Sequence, residues 1–239
     1  MNKQLLLVSA LAGLFAAGSA NALIIDDFSI DQPDIMLTGL SSSVSLLQTG
    51  STNNILGGVR QTDVTMYQGN DDALTMVRVL SSGVLDISNT VSAQSRTVLT
   101  WNAGDLTLGL GNIDLFDTGS NGIFMAFPTA MDHALELMFE IEDYGNSTAI
   151  LSRTFPAGSQ GDDFFFSFSD FSNIAALSSA DSIRMTIDST TAGLDASVDL
   201  VETRDAPPGT IPEPATLALL GLGLAGLGFT RVKAKARDA

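Results

Sequence analysis

Cysteine is absent from this 239-residue chain, and its absence excludes several kinds of chemistry at once. The protein can have no disulfide framework, no thiolate nucleophile and no zinc site with cysteine ligands. The fold must therefore be held together by its hydrophobic core. The chain is long enough for one all-β domain together with processing segments, because single all-β domains run to about 250 residues.

Basic residues are scarce and unevenly placed. The chain has 27 acidic residues against 11 basic ones, and its three lysines, Lys3, Lys233 and Lys235, lie near the two ends. Between residues 23 and 214 there are six arginines and 26 acidic residues, which gives a net charge of −20. Such a surface repels phosphate backbones, so no nucleic-acid partner is expected. It attracts cations, and Ca²⁺ is the hard cation that prefers carboxylate oxygens.

Histidine occurs once, as His133. A site with several histidine ligands is therefore excluded, and a Ser-His-Asp triad would have to use this residue alone. We interpret His133 as a surface residue at the end of a strand. Catalysis by paired carboxylates, as in glycosidases, stays open. The chain has many acidic pairs, and whether any pair is catalytic depends on the distance between the two carboxyl groups in the folded protein. The acidic doublets, such as Asp26-Asp27, lack the twelve-residue loop of an EF-hand.

The N-terminal segment predicts export. It has one basic residue at Lys3, an apolar run from Leu5 to Ala17, and small residues at Ala20 and Ala22. This order is typical of a secretory signal peptide, which enters the secretion machinery as a helix. We predict a signal peptide over residues 1–22 with cleavage after Ala22.

The C-terminal segment, residues 212–239, has three parts in a fixed order. Pro212, Glu213 and Pro214 precede an uncharged apolar span at residues 215–229, and a basic tail at 231–237 follows, with Arg231, Lys233, Lys235 and Arg237. Positive charge is retained on the cytoplasmic side, which predicts the domain outside and the tail inside. Fifteen helical residues reach about 22 Å, short of a hydrocarbon core of about 30 Å. A short apolar helix that acts as a transient membrane stop, and presents the preceding loop to a processing enzyme, is therefore predicted rather than a permanent anchor.

This C-terminal pattern resembles the PEP-CTERM sorting signal of Gram-negative bacteria. The resemblance implies an exosortase as a transient partner, which would process the protein near Pro212, Glu213 and Pro214 in the inner membrane. It also implies delivery to the cell surface or to the exopolysaccharide matrix. The signal specifies a destination and does not specify an activity.

Residues 23–205 are predicted to form an antiparallel β-sandwich or jelly roll. Short apolar runs alternate with polar residues and are separated by Gly, Ser, Asn and Asp. The clearest alternation places Leu135, Leu137, Phe139 and Ile141 on one face of a strand over 135–141. Helix is expected only around residues 171–180, and 206–211 is interpreted as a linker. Further strands are predicted at 23–30, 58–67, 74–80, 83–88, 96–101, 106–110, 122–127, 148–155, 163–169, 183–187 and 197–203.

Three short segments are similar to those of jelly rolls of the galactose-binding-like class. They are the opening residues 23–28, the stretch 57–60 and the closing residues 198–201. That resemblance implies that the first and last strands pair, and that a structural Ca²⁺ bridges them. Asp27 and Asp199 are the ligands this arrangement predicts.

The sequence as a whole predicts an exported, non-catalytic surface or matrix protein that associates with exopolysaccharide. The alternatives are a secreted carboxylate-dependent glycosidase and a carbohydrate-binding module.

Overall fold

The computed structural model describes residues 22–39, 43–104, 109–117, 119–160 and 164–206. The chain divides into two compact units, residues 1–206 and 207–239. All described residues belong to the first unit, and no helix among them is long and apolar enough to cross a membrane. Residues 1–21 of the predicted signal helix, the apolar helix at 215–229 and most of the predicted strand 106–110 lie outside the described residues.

The described residues of the first unit form fourteen strands joined by turns and short 3₁₀ segments. The 3₁₀ segments are Leu56–Gly58, Phe168–Asp170 and Ile174–Ser179. The strands are β1 Leu23–Asp26, β2 Gln32–Thr38, β3 Ser43–Thr49, β4 Val59–Gln68, β5 Leu74–Leu80, β6 Val84–Asn89, β7 Gln94–Trp101, β8 Gly122–Ala126, β9 Leu135–Asp143, β10 Thr148–Phe155, β11 Phe165–Ser167, β12 Ala180–Ser189, β13 Asp195–Val198 and β14 Leu200–Arg204.

The strands are arranged in three antiparallel sheets. The main sheet has six strands in the order β10-β9-β12-β7-β4-β3, and two four-stranded sheets have the orders β1-β14-β8-β11 and β13-β6-β5-β2. The inner face of the main sheet packs against both smaller sheets. Phe139 on β9 contacts Phe166 on β11, and Ser95 on β7 donates a hydrogen bond to Asn89 on β6. The fold is therefore an antiparallel β-sandwich, as the sequence predicts.

Alternation along β9 determines which side chains line the core and which face outward. Leu135, Leu137, Phe139 and Ile141 are fully buried in a single hydrophobic cluster. Glu136, Met138 and Glu140 point to the opposite face, because successive side chains of a strand alternate across the sheet. The outer face of the main sheet is thereby left polar and open to solvent.

The first and last described strands are neighbours, as the jelly-roll resemblance implies. β1 pairs with β14 in antiparallel register, with Leu23 opposite Thr203 and Ile24 opposite Glu202. The helix expected around residues 171–180 is a 3₁₀ segment at Ile174–Ser179, and Asn173 makes no side-chain capping bond there. The sequence pattern thus located this turn correctly and overestimated its length.

A candidate binding groove on the outer face of the main sheet

Strand register aligns the outward side chains of the main sheet in rows. In one row, Asp188 on β12 lies opposite Glu136 on β9 and Arg96 on β7. In the row two residues away, Thr186 lies between Met138 and Val98. Side chains directly opposite each other in a sheet have Cβ atoms about 5 Å apart. The outer face therefore presents a dense array of charged and polar groups.

These rows form the floor of a groove of about 460 Å³, which we call the sheet groove. Two smaller depressions extend it, one sharing Arg184 and the other sharing Arg96 and Asp188. From Asp181 to Asp188, strand β12 spans about 23 Å at roughly 3.3 Å per residue. The groove is therefore long enough for several units of a linear polymer. Its central part is lined by Asp63, Arg96, Val98, Glu136, Met138, Glu140, Arg184, Thr186 and Asp188.

A hydrogen-bonded network around Asp188 fixes one end of the sheet groove. The Arg96 guanidinium donates to Asp188 Oδ2 from Nε at 2.8 Å and from Nη2 at 2.6 Å. The Tyr67 hydroxyl lies 2.6 Å from Asp188 Oδ1 and 2.6 Å from the Ser189 carbonyl oxygen. Both carboxylate oxygens of Asp188 are thus engaged, so its negative charge orients Arg96 and Tyr67.

We expect the Tyr67 hydroxyl to ionise far above the ordinary pH for tyrosine. Partial burial and the hydrogen bond to Asp188 raise its pKa from 10.0 to about 12. Tyrosine occurs only twice in the chain, so the ultraviolet titration of Tyr67→Phe subtracted from that of the unmodified protein isolates this group. The difference curve should have its midpoint near pH 12 in the folded protein and near pH 10 in denaturant. A folded-state midpoint near 10 would contradict the Asp188 network.

Two exposed tyrosines mark the ends of the extended groove. Tyr67 is 43% exposed beside Arg96, and Tyr144 is 70% exposed in the turn after β9. Between them, Arg184 donates a hydrogen bond to Glu140 at 3.2 Å. The groove and its extension beyond Arg184 hold seven acidic residues and two arginines. The site is therefore rich in oriented hydrogen-bonding groups and carries net negative charge.

A second polar cluster is fully buried between the sheets. The Arg60 guanidinium donates from Nη1 to both oxygens of Asp26 at 2.9 Å, and the Trp101 indole donates to Asp26 Oδ2 at 2.9 Å. Arg60 also donates to the Ile30 carbonyl oxygen at 3.2 Å and, weakly, to Gln32 Oε1. All three side chains, those of Asp26, Arg60 and Trp101, have no exposed surface. Because solvent cannot reach it, this cluster is structural and is not a ligand site.

The predicted calcium residues lie near the junction of β1 and β14. Asp27 follows β1 and accepts hydrogen bonds from the Ser29 backbone and hydroxyl and from Asn54, which lower its pKa although partial burial opposes this. Asp199 precedes β14, and burial raises the pKa of its carboxyl. Among the described residues, no three Asp, Glu or His side chains group as a metal site would require. The pairing of Asp27 with Asp199 around Ca²⁺ stays a prediction.

His133 occupies the position expected from the sequence, and Trp101 lies in the core. His133 lies just before β9, partly exposed, with Nδ1 3.0 Å from Asp132 Oδ2. Trp101 is fully buried, and Asp26 is the hydrogen-bond partner that its indole requires. All but one of the predicted processing residues lie outside the described ranges. They are Ala20, Pro212, Glu213, Pro214, Arg231, Lys233, Lys235 and Arg237, whereas Ala22 is exposed just before β1.

Comparison with known proteins identifies one sequence motif. Residues 210–232 match the PEP-CTERM protein-sorting motif, which indicates export and membrane-associated processing by an exosortase. No curated protein matches the chain.

Solved structures that match this chain share little of its sequence. The family 11 carbohydrate-binding module of a cellulosomal cellulase of Clostridium thermocellum is 14% identical, with 77% of this chain and 94% of that chain covered and a TM-score of 0.36. The family 11 module in complex with a β-1,3-1,4-mixed-linked tetrasaccharide is 14% identical, with 74% and 97% covered and a TM-score of 0.32. An exo-β-agarase is 14% identical, with 77% and 25% covered and a TM-score of 0.39.

Proposed function

We propose that this chain is an exported, non-catalytic protein of the cell surface or exopolysaccharide matrix of a Gram-negative bacterium, and that its sheet groove binds a polysaccharide. The sorting motif at residues 210–232 supports the destination. The observation that carries the binding activity is the open groove itself, with charged hydrogen-bonding side chains along its floor and exposed tyrosines near its two ends.

The chemistry of the sheet groove suits a polyhydroxylated ligand. Carboxylates accept hydrogen bonds from sugar hydroxyls, and guanidinium groups donate to hydroxyl and ring oxygens. Arg96 and Arg184 are already held in place by Asp188 and Glu140, so little side-chain entropy is lost when a ligand binds. The exposed rings of Tyr67 and Tyr144 offer apolar surface for the C–H faces of sugar rings.

The charge of the sheet groove indicates which class of polysaccharide it can bind. Seven acidic residues against two arginines make the extended groove negative, within a domain that is itself strongly acidic. A polyanionic chain would be repelled unless divalent cations bridged it to the carboxylates. The ligand that we propose is therefore a neutral polysaccharide.

If the protein were a glycosidase, one carboxylate pair in the sheet groove would be the candidate catalytic pair. Asp188 and Glu136 are direct register partners on neighbouring strands, which places their Cβ atoms about 5 Å apart. Retaining glycosidases hold their two carboxyl groups about 5–5.5 Å apart. Here, however, Asp188 is bonded to Arg96 and Tyr67, and Glu136 accepts a hydrogen bond from Ser152. These bonds favour a role in positioning over attack on a sugar.

Replacement of Arg184 by alanine tests the binding proposal. Hydrogen bonds to charged groups contribute roughly 1.5–3 kcal/mol, so Arg184→Ala is expected to weaken binding of a neutral polysaccharide by about ten- to a hundredfold. Arg78→Ala is the matched control, because Arg78 on β5 likewise pairs across strands with a carboxylate, Asp86, but lies outside the groove. Affinity electrophoresis against a panel of neutral and acidic polysaccharides provides the measurement.

The results of these measurements distinguish polysaccharide binding from glycosidase activity. Equal weakening by Arg184→Ala and Arg78→Ala, or binding confined to acidic polysaccharides without divalent cations, would contradict the groove as the binding site. Release of new reducing ends by the unmodified protein, lost in Glu136→Gln, would establish the glycosidase in its place.

A further inference from the structure

Five of the six sheet edges in the described structure are blocked against further strand pairing. An exposed edge offers unpaired N–H and C=O groups to another chain, and proteins usually cover such edges. Three of these five edges are covered by backbone or side-chain hydrogen bonds from neighbouring loops. At the end of β1, Asp26 forms an isolated bridge with Ile55, and the N–H of the next residue, Asp27, bonds the Asn54 carbonyl oxygen. On β10, Ile150 and Ser172 exchange two bonds, and on β13, Asp195 N–H bonds the Asp132 carboxylate.

The two remaining blocked edges, β11 and β2, are protected from strand pairing by other structural features. The edge strand β11 has only three residues, and Arg153 donates to its Phe165 carbonyl oxygen at 2.8 Å. The edge strand β2 contains Pro33 and Asp34 and has an irregular register at that point. Proline, charge and local irregularity each hinder edge-to-edge pairing.

Strand β3 is the exception. It has seven residues, pairs with β4 on one side, and makes no backbone pairing on its other side within the described part of the chain. Its sequence contains neither proline nor a charged residue. Leu47 is 56% exposed on the outer face and Val44 is 41% exposed. This edge is therefore regular, uncharged and partly apolar.

The charge distribution around β3 sets this edge apart from the rest of the surface. No charged residue occurs between Asp34 and Arg60, although residues 23–214 carry a net charge of −20. Two copies of such an acidic domain repel each other over most approaches. Repulsion is weakest where the uncharged segment of one copy meets the same segment of another. The charge pattern thus favours a second copy of this chain as the partner of β3.

We propose that two copies of this protein associate by antiparallel pairing of β3 with β3 of the second copy, forming a continuous twelve-stranded sheet. Association stops at two copies, because the other described edges are blocked and a two-fold contact of this kind is closed. The two-fold axis is perpendicular to the sheet, so both outer faces point the same way. This inference does not depend on what the sheet groove binds. If that ligand is a polymer, two grooves on one surface can engage it together.

The mass of the domain in solution tests the dimer. Residues 23–206 contain every described strand and the whole described core, so this fragment can be studied without the terminal segments. Sedimentation equilibrium should give twice the monomer mass, and Leu47→Lys should weaken dimerisation at least tenfold. Ile150→Lys is the matched control, because Ile150 is 42% exposed on the outer face of β10, at the opposite edge of the same sheet. That variant should remain dimeric.

Cysteine crosslinking provides an independent readout, because the chain has no cysteine of its own. Single cysteines at Ser43, Ser45 and Leu47 scan one face of β3, and the position nearest the two-fold axis should form an intermolecular disulfide under mild oxidation. Ile150→Cys should not crosslink. A monomeric unmodified domain, loss of dimer in Ile150→Lys with retention in Leu47→Lys, or crosslinking only through Ile150→Cys would each overturn the proposal.

Discussion

Replacement of Arg60 by methionine is expected to lower the free energy of unfolding by about 3–5 kcal/mol, the cost of leaving a buried charge without its partner. Arg60 and Asp26 are both fully buried, and two bonds of 2.9 Å join Arg60 Nη1 to the Asp26 carboxylate. Methionine fills similar space but donates no hydrogen bond. The Asp26 carboxylate would then keep only the Trp101 indole and the Phe28 backbone N–H as donors.

The effect should be large because this cluster joins all three sheets. Arg60 lies on β4 of the main sheet, Asp26 on β1 and Gln32 on β2, so each partner comes from a different sheet. Trp101 on β7 adds a fourth strand through its indole, and the Arg60 guanidinium lies 5.2 Å from the centre of the Phe28 ring. Loss of Arg60 therefore disturbs contacts between the two layers of the sandwich, not only a single ion pair.

The loss of unfolding free energy caused by Arg60→Met should depend on pH. Burial raises the pKa of the Asp26 carboxyl above its ordinary 3.8, and the Arg60 charge is the strongest opposing influence. Without Arg60 the folded state favours the protonated carboxyl still more. Stability of the variant should therefore be lost as pH rises above 3.8, and its deficit relative to the unmodified protein should shrink as pH falls toward that value.

Urea unfolding at several pH values, followed by circular dichroism, measures both effects. Arg78→Met is the matched control, since it breaks the partly exposed pair with Asp86 and should cost only about 0–1 kcal/mol. Asp26→Leu combined with Arg60→Met should recover part of the loss, because no unpaired charge remains, although Trp101 still lacks an acceptor. Equal deficits for Arg60→Met and Arg78→Met would show that the buried pair is not the main contributor.

Strands that contain runs of apolar residues were predictable from the sequence, at a sheet edge (β10) as well as inside a sheet (β5), and β2 was not. The prediction of a strand at 74–80 agrees with β5, and that at 148–155 agrees with β10, because both segments contain runs of apolar residues and neither contains glycine or proline. Strand β2 was missed, because Pro33 and Asp34 interrupt its pattern. The stretch from Ser41 to Asn54, whose many polar residues favour a long loop or a weak edge strand, contains the edge strand β3.

The candidate site was only half predictable, for a physical reason. Alternation over 135–141 already placed Glu136 and Glu140 on an outward face. Their partners Asp188 and Arg184 lie more than forty residues away, and only the pairing of β9 with β12 brings them together. Cross-strand register depends on the whole sheet, so one strand's pattern cannot supply it. The burial of Asp26 beside Arg60 escaped prediction likewise, because isolated charged residues are normally expected at the surface.

Loss of the sorting motif is expected to abolish surface delivery while leaving export intact. Deletion of residues 212–239 removes the tripeptide, the apolar span and the basic tail together, but it retains the signal peptide predicted at 1–22. The truncated protein should therefore cross the inner membrane and accumulate in the periplasm. Cell fractionation followed by immunoblotting distinguishes this from the surface or matrix location expected for the full chain.

A point substitution separates processing from membrane retention. Glu213→Ala leaves the apolar span at 215–229 and the positive charges of the tail in place, so the precursor should still stop in the inner membrane. If the exosortase recognises Pro212-Glu213-Pro214, this precursor should accumulate there at its unprocessed mass. Asp205→Ala is the matched control, since it removes an exposed acidic residue eight positions upstream, outside the motif. Normal surface delivery of Glu213→Ala would show that the span and tail are sufficient, and that the tripeptide is not the recognised element.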